Sequence, residues 1–274
     1  YCLEAYARTP SQQMSGDAPD AGPGVHGETP LFGIGSADVR VRAVIHALAL
    51  VAVAFLFAGV LVGVAEGGLQ ALGLSSDGSP AVFELTQTAV NFFGLFVASL
   101  AYLYWRDCWS VIGFGRPTAR DLAVVVGGAI VLVVSIVALE AVLSQIGLTP
   151  DENVAVETGR ENPELFLYYI PIVLLLNSPA EELLFRGVVQ GLFRQAYGVV
   201  PGILAAGAVF GAIHYLALAG QGSAAAYVGI AVVSGVILGA LYEYTENLLV
   251  PIVVHAAWNV LVYLNLYAQT TGMA

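Results

Sequence analysis

The chain contains no lysine, and only 11% of its 274 residues are charged. Soluble domains carry about 25%, so the scarcity of charge argues against an ordinary water-soluble fold. The few charges are also of the wrong sign for one class of partner. Nine basic residues, all arginine, stand against twenty acids, a formal net charge of −11. A protein that grips nucleic acid needs a basic face, and that function is excluded. Cysteine is equally scarce. Cys2 and Cys108 lie far apart with no histidine at ligand spacing, which rules out a zinc knuckle and a disulfide framework; they read as inert thiols. HExxH is absent, as are GxSxG and any pair of intramembrane aspartates, so three familiar ways of cutting a peptide bond inside a membrane lack their groups. No internal repeat is evident.

What the chain has in abundance is apolar length. It is 58% hydrophobic with a mean hydropathy of +0.81. Runs of about 20 apolar residues, enough to cross a bilayer, fall near 43–66, 81–105, 121–148, 165–197, 200–219, 223–243 and 248–268. The expected fold is therefore all-α, a polytopic transmembrane bundle of about seven spans, in contact with membrane lipid. Residues 1–39, rich in Gly, Pro, Ser and Asp, read as a disordered tail. Within it, Met14-Ser-Gly-Asp resembles a natural start, which makes residues 1–13 an upstream extension. Residues 40–150 hold the N-terminal helices. Thr149–Pro163, with four acids and one arginine, separates them from a C-terminal core at 163–268.

The arginines orient the chain. Arg40, Arg42, Arg106, Arg116, Arg120 and Arg194 all fall on one side of a seven-span topology, and only Arg160 falls on the other. Basic residues favour the cytoplasmic side, which places the N-terminus in the cytoplasm of a multi-pass integral membrane protein. His46, near the start of the first span, reads as interfacial; Glu140 in the third fits a structural or a functional role equally.

The chemistry gathers in the fourth span, at Leu174–Gln190, LLLNSPAEELLFRGVVQ. Ser178, Glu182, Arg186 and Gln190 follow at four-residue steps, and Asn177 and Glu181 form the adjacent row. Each ionisable group costs about 2.5–3.5 kcal/mol to insert into a bilayer. Glu182 and Arg186, at i and i+4, suit an ion pair, which leaves Glu181 about 100° around the helix. Pro179 frees a backbone carbonyl and predicts a kink. Span five carries Phe210-Gly-Ala-Ile-His214. Span seven carries His255-Ala-Ala-Trp-Asn259, one polar face on an apolar helix, and Asn247 is placed to cap that helix. Each motif alone suits a structural role. Together they place Glu, two His and Asn on three spans, and convergence on one wet cavity is the economical explanation.

EExxxR, FxxxH and HxxxN in this order, with PAEELLFRG and TENLLVPIVVHAAWN around them, resemble the CAAX prenyl endopeptidase and bacteriocin-processing family (CPBP, also called ABI) of intramembrane proteases. The likeness covers roughly 163–265. It implies an endopeptidase acting on a membrane-associated or prenylated CAAX-type polypeptide. By motif position, Glu181 and His214 would activate water and His255 and Asn259 would stabilise the oxyanion, with Glu182 and Arg186 in support. Members are often labelled metalloproteases; a zinc version would use Glu181, His214 and His255 as ligands, whereas the reading favoured here needs no metal. The rival readings are a non-catalytic immunity or scaffold protein of the same family and a transporter with an intramembrane Glu/His site. The four retained polar residues weigh against the first, and the lack of paired halves weighs against the second.

Overall fold

The computed structural model describes residues 29–33 and 35–273. Helices follow one another as α1 (Ala37–Ala71), α2 (Pro80–Arg106), α3 (Ala119–Gln145), α4 (Val154–Glu161), α5 (Glu164–Ile172), α6 (Ser178–Glu182), α7 (Gly191–Tyr197), α8 (Val199–Ile213), α9 (Ala224–Thr245) and α10 (Leu249–Thr271). Among the described residues there is no strand, only two isolated bridges. The chain is thus an all-α polytopic bundle.

Six helices are long and apolar enough to cross a membrane: α1, α2, α3, α8 extended to Ala217, α9 and α10. Their starts carry the polar groups that helix termini require. Ser36 accepts from Val39 N, Ser223 from Ala226 N, and Thr118 forms a reciprocal box with Asp121. Asn247 accepts from Leu249 N at 3.2 Å, as expected for a residue opening α10. The remaining stretch, 164–197, is helical along its length but is divided by two π turns, Val173–Asn177 and Leu183–Gln190. The carbonyl that Pro179 deprives of its i+4 donor belongs to Leu175, inside the first of these turns.

This interrupted helix is the axis of the molecule. Every residue from Ala180 to Arg194 is buried, and Leu184, Phe185, Val188, Val189 and Leu192 have no exposed surface. A helix covered on all sides needs no polar face toward solvent, so its charged residues must find partners within the protein. Around it, small residues let backbones meet. A Cβ on Gly94 of α2 would lie 2.7 Å from Ala58 Cα of α1, and one on Gly211 of α8 would collide with Val232 of α9. The outward face of α3 presents Leu122, Val126, Ile130, Val134 and Val137, an apolar surface suited to lipid.

Contacts sort the loops to two ends. At one, Gly113 N donates to Tyr242 Oη at 2.8 Å, Arg120 Nη2 to the Tyr244 carbonyl at 3.2 Å, and Arg194 Nη1 lies 3.4 Å from Glu243. At the other, the Asp151 carboxylate accepts from Gly220 N and Gln221 N, and Arg160 pairs with Glu152 at 2.6 Å. The acidic linker before the core is not only a loop: Asn153 caps α4, whose Gly159 rests against Phe166.

Two local differences from the sequence reading stand out. The end of the segment read as a disordered tail is ordered where it is described. Gly33 N and Gly35 N donate to the carbonyls of Tyr197 and Ala196, and Val199 N and Val200 N donate back to Pro30 and Leu31. Gly198, at φ +89°, has no room for a side chain there. The rest of the tail, 1–28 and 34, lies outside the described residues. Cys108 is buried and is not a free thiol, so the reading as an inert thiol is corrected for that residue; Cys2 also lies outside the described residues.

Candidate active site

Glu182 is fully buried between an arginine and a histidine. Its Oε2 lies 3.1 Å from Arg186 Nε, the i, i+4 pair expected from the spacing. Its Oε1 lies 2.8 Å from His255 Nδ1 on α10, a contact between spans that no spacing rule reveals. Because a carboxylate accepts, Nδ1 carries a proton, and Nε2 is the nitrogen that faces the site. Glu181, with 6% of its surface exposed, brings Oε2 to 3.7 Å from that Nε2. The two neighbouring glutamates therefore grip the same imidazole from its two ends.

Arg186 is 1% exposed and is held on three sides. Besides Glu182, it donates through Nη2 to the Gly235 carbonyl at 3.4 Å and stacks its guanidinium 4.2 Å from the Phe210 ring centre. One turn on, Gln190 Nε2 donates to the Gly239 carbonyl at 3.1 Å and to Glu243 at 2.9 Å. Arg186 and Gln190 of the polar stripe thus face α9, where Gly239 leaves the space that the Gln190 side chain occupies.

His214 starts a short 3₁₀ turn, His214–Ala217, at the end of α8. Its Nδ1 lies 2.7 Å from the Phe210 carbonyl. A carbonyl accepts only, so the neutral ring carries its proton on Nδ1 and keeps a lone pair on Nε2. Phe210 ties the imidazoles together, with ring centres 4.5 Å from His214 and 6.1 Å from His255. Asn259, one turn beyond His255, donates from Nδ2 to Asn177 Oδ1 at 3.0 Å.

Glu181, His214, His255 and Asn259 all line one cavity of about 860 Å³. Glu181 lies beside His255, and His214 lines the same cavity. The cavity extends beyond the core to Glu84 and Asn91 of α2, Leu132 and Glu140 of α3, and the linker residues Asp151 and Asn153. Tyr169 donates to Glu84 at 2.9 Å and stacks on Tyr263 with ring centres 5.2 Å apart. Glu84, Tyr169, Tyr263 and Phe210 as a packing hub were not singled out from sequence. Asn177 was visible there only as a member of the row that holds Glu181.

Among the described residues no group of three or more His, Cys, Asp or Glu side chains is arranged to hold a metal ion.

Residues 163–261 match the family model described as type II CAAX prenyl endopeptidase Rce1-like. No curated protein and no solved structure matches the chain. The matched segment contains every motif that carried the resemblance, from PAEELLFRG to HAAWN. Residues 163–261 are thus similar to the Rce1-like family, within a chain whose first three membrane-length helices lie outside the match.

Proposed function

We propose that the protein is an intramembrane endopeptidase that hydrolyses a membrane-associated polypeptide of the prenylated CAAX type, without a metal. The observation that carries this reading is the convergence of Glu181, His214, His255 and Asn259 on one cavity in the apolar interior. The site has the three things amide hydrolysis requires: a base for water, a route for a proton to the leaving nitrogen, and donors for the oxyanion.

Glu181 takes a proton from water as the water oxygen attacks the scissile carbonyl carbon. Charge collects on the carbonyl oxygen, which accepts from Asn259 Nδ2 and from the Nε2–H of His255 in its doubly protonated form. Glu182 holds the other end of that ring. The tetrahedral intermediate collapses as the C–N bond breaks, and the nitrogen receives the proton first taken from water. His214, with its free Nε2, relays that proton from the cavity wall. The products are a carboxylic acid and an amine.

The family match supports a polypeptide substrate in a membrane, and the arginine distribution supports an orientation. Arg40, Arg42, Arg106, Arg116, Arg120 and Arg194 share one end of the bundle, and Arg160 lies at the other. With the arginine-rich end facing the cytoplasm, the N-terminus is cytoplasmic.

The test is cleavage of a farnesylated CAAX peptide by the purified protein in detergent or liposomes, beside the unprenylated peptide. The farnesylated peptide is expected to be cut, and Glu181→Ala to abolish cutting while leaving expression and thermal unfolding intact. Cleavage should also survive exhaustive chelation. An equally active Glu181→Ala overturns the assignment of the base, and activity restored only by added zinc overturns the metal-free route. If an unrelated membrane peptide is cut and the prenylated one never is, the substrate class changes while the hydrolase stands.

A further inference from the structure

Asn259 is not alone on the cavity wall. One of its two N–H groups goes to Asn177 Oδ1. Asn177 is 8% exposed, ends the π turn Val173–Asn177, and lines the same cavity as Glu181, four residues on. A side-chain amide carries an acceptor and a donor of nearly the same shape, and half a turn of the group exchanges them. An oxyanion is stabilised by one of these ends and repelled by the other. A fixed acceptor on the nitrogen side removes the ambiguity.

We infer that Asn177 is a positioning residue for hydrolysis: by accepting from Asn259 Nδ2 it fixes which end of that amide faces the cavity and directs the second N–H toward the forming oxyanion. The inference rests on the hydrolase reading above. The placement depends on the π turn, which widens the helix just before Pro179 and carries Asn177 at its last position. Asn177 needs no contact with substrate to act in this way.

Steady-state cleavage of the farnesylated CAAX peptide by Asn177→Leu, Asn177→Asp, Asn259→Leu and the Asn177→Leu/Asn259→Leu double variant tests it. Losing the fixed donor geometry is expected to lower kcat of Asn177→Leu by about tenfold at unchanged KM. Asn177→Asp keeps an acceptor oxygen and is expected to stay within about threefold of the parent chain. In the Asn259→Leu background, adding Asn177→Leu should change nothing further, because the two residues act as a unit. Asn177→Leu at full kcat overturns the inference, as do single losses that multiply in the double variant. Should Asn177→Leu lose its cooperative thermal transition, Asn177→Ser, too short to reach Asn259, takes its place with the same expectations. A parent chain that cuts no peptide removes the hydrolase reading and this inference with it, whereas an active Glu181→Ala overturns the assignment of the base alone. An inactive Glu181→Ala beside a fully active Asn177→Leu removes this inference alone.

Discussion

Glu182 has no exposed surface and holds an arginine on one oxygen and a histidine on the other. Removing one member of a buried pair leaves the other charge desolvated, at a cost of about 3–5 kcal/mol. Glu182→Ala is therefore expected to lower the thermal transition in detergent strongly. Glu182→Gln keeps an acceptor for His255 Nδ1 and should fall between that variant and the parent chain. Transitions unchanged in both variants would show that Arg186 finds its stabilisation elsewhere, in Phe210 and the Gly235 carbonyl. At this scale the sequence was informative where partners share a helix. The Glu182–Arg186 pair follows from four-residue spacing. The Glu182–His255 and Asn177–Asn259 contacts join residues 73 and 82 positions apart, and they depend on helix packing that periodicity does not encode.

At the scale of elements, the central run 164–197 owes its polar contacts to the glycines opposite. A side chain at Gly239 would place its Cβ 2.5 Å from Gln190 Oε1, so Gly239→Val must displace Gln190 from its bonds to α9. Overpacking of this kind costs about 1–3 kcal/mol. Gly63→Ala in α1, where nothing lies within 4 Å, serves as the control and should be neutral or slightly stabilising. Equal thermal transitions for the two variants would refute close packing of α9 on the central run. The six membrane-length helices were legible because lipid-length runs leave a strong signal. The π turns were not, since an apolar pattern read at 3.6 residues per turn is blind to an inserted residue; only Pro179 marked the place. The acidic linker concealed α4 for a different reason: its eight residues are too few to show a period, and its helix depends on the Asn153 cap and on packing against Phe166.

For the whole molecule, the path of the chain sets which termini share a side. α1 starts at the arginine-rich end and α10, opening at Asn247 beside Gly115, runs away from it. With the interrupted helix counted as a crossing, reporters fused to the two termini are expected on opposite sides of the membrane, the N-terminal one in the cytoplasm. A C-terminal reporter in the cytoplasm would contradict both the count and the proposed orientation. The alternation of helix direction was readable from loops and arginines. The position of the cavity was not, because it arises from side chains contributed by helices on both sides of the acidic linker.

The cavity wall includes Phe55 and Gly59 of α1, Glu84 and Phe92 of α2, and Leu132 and Glu140 of α3, none of which lies in the matched segment. Of these, α1 and α2 also help to cover the central run. Severing the chain between α3 and α4 would consequently leave all four motif residues on one fragment and yet open their chamber along its flank. What sequence comparison delimits as a module is, in three dimensions, half of a vessel.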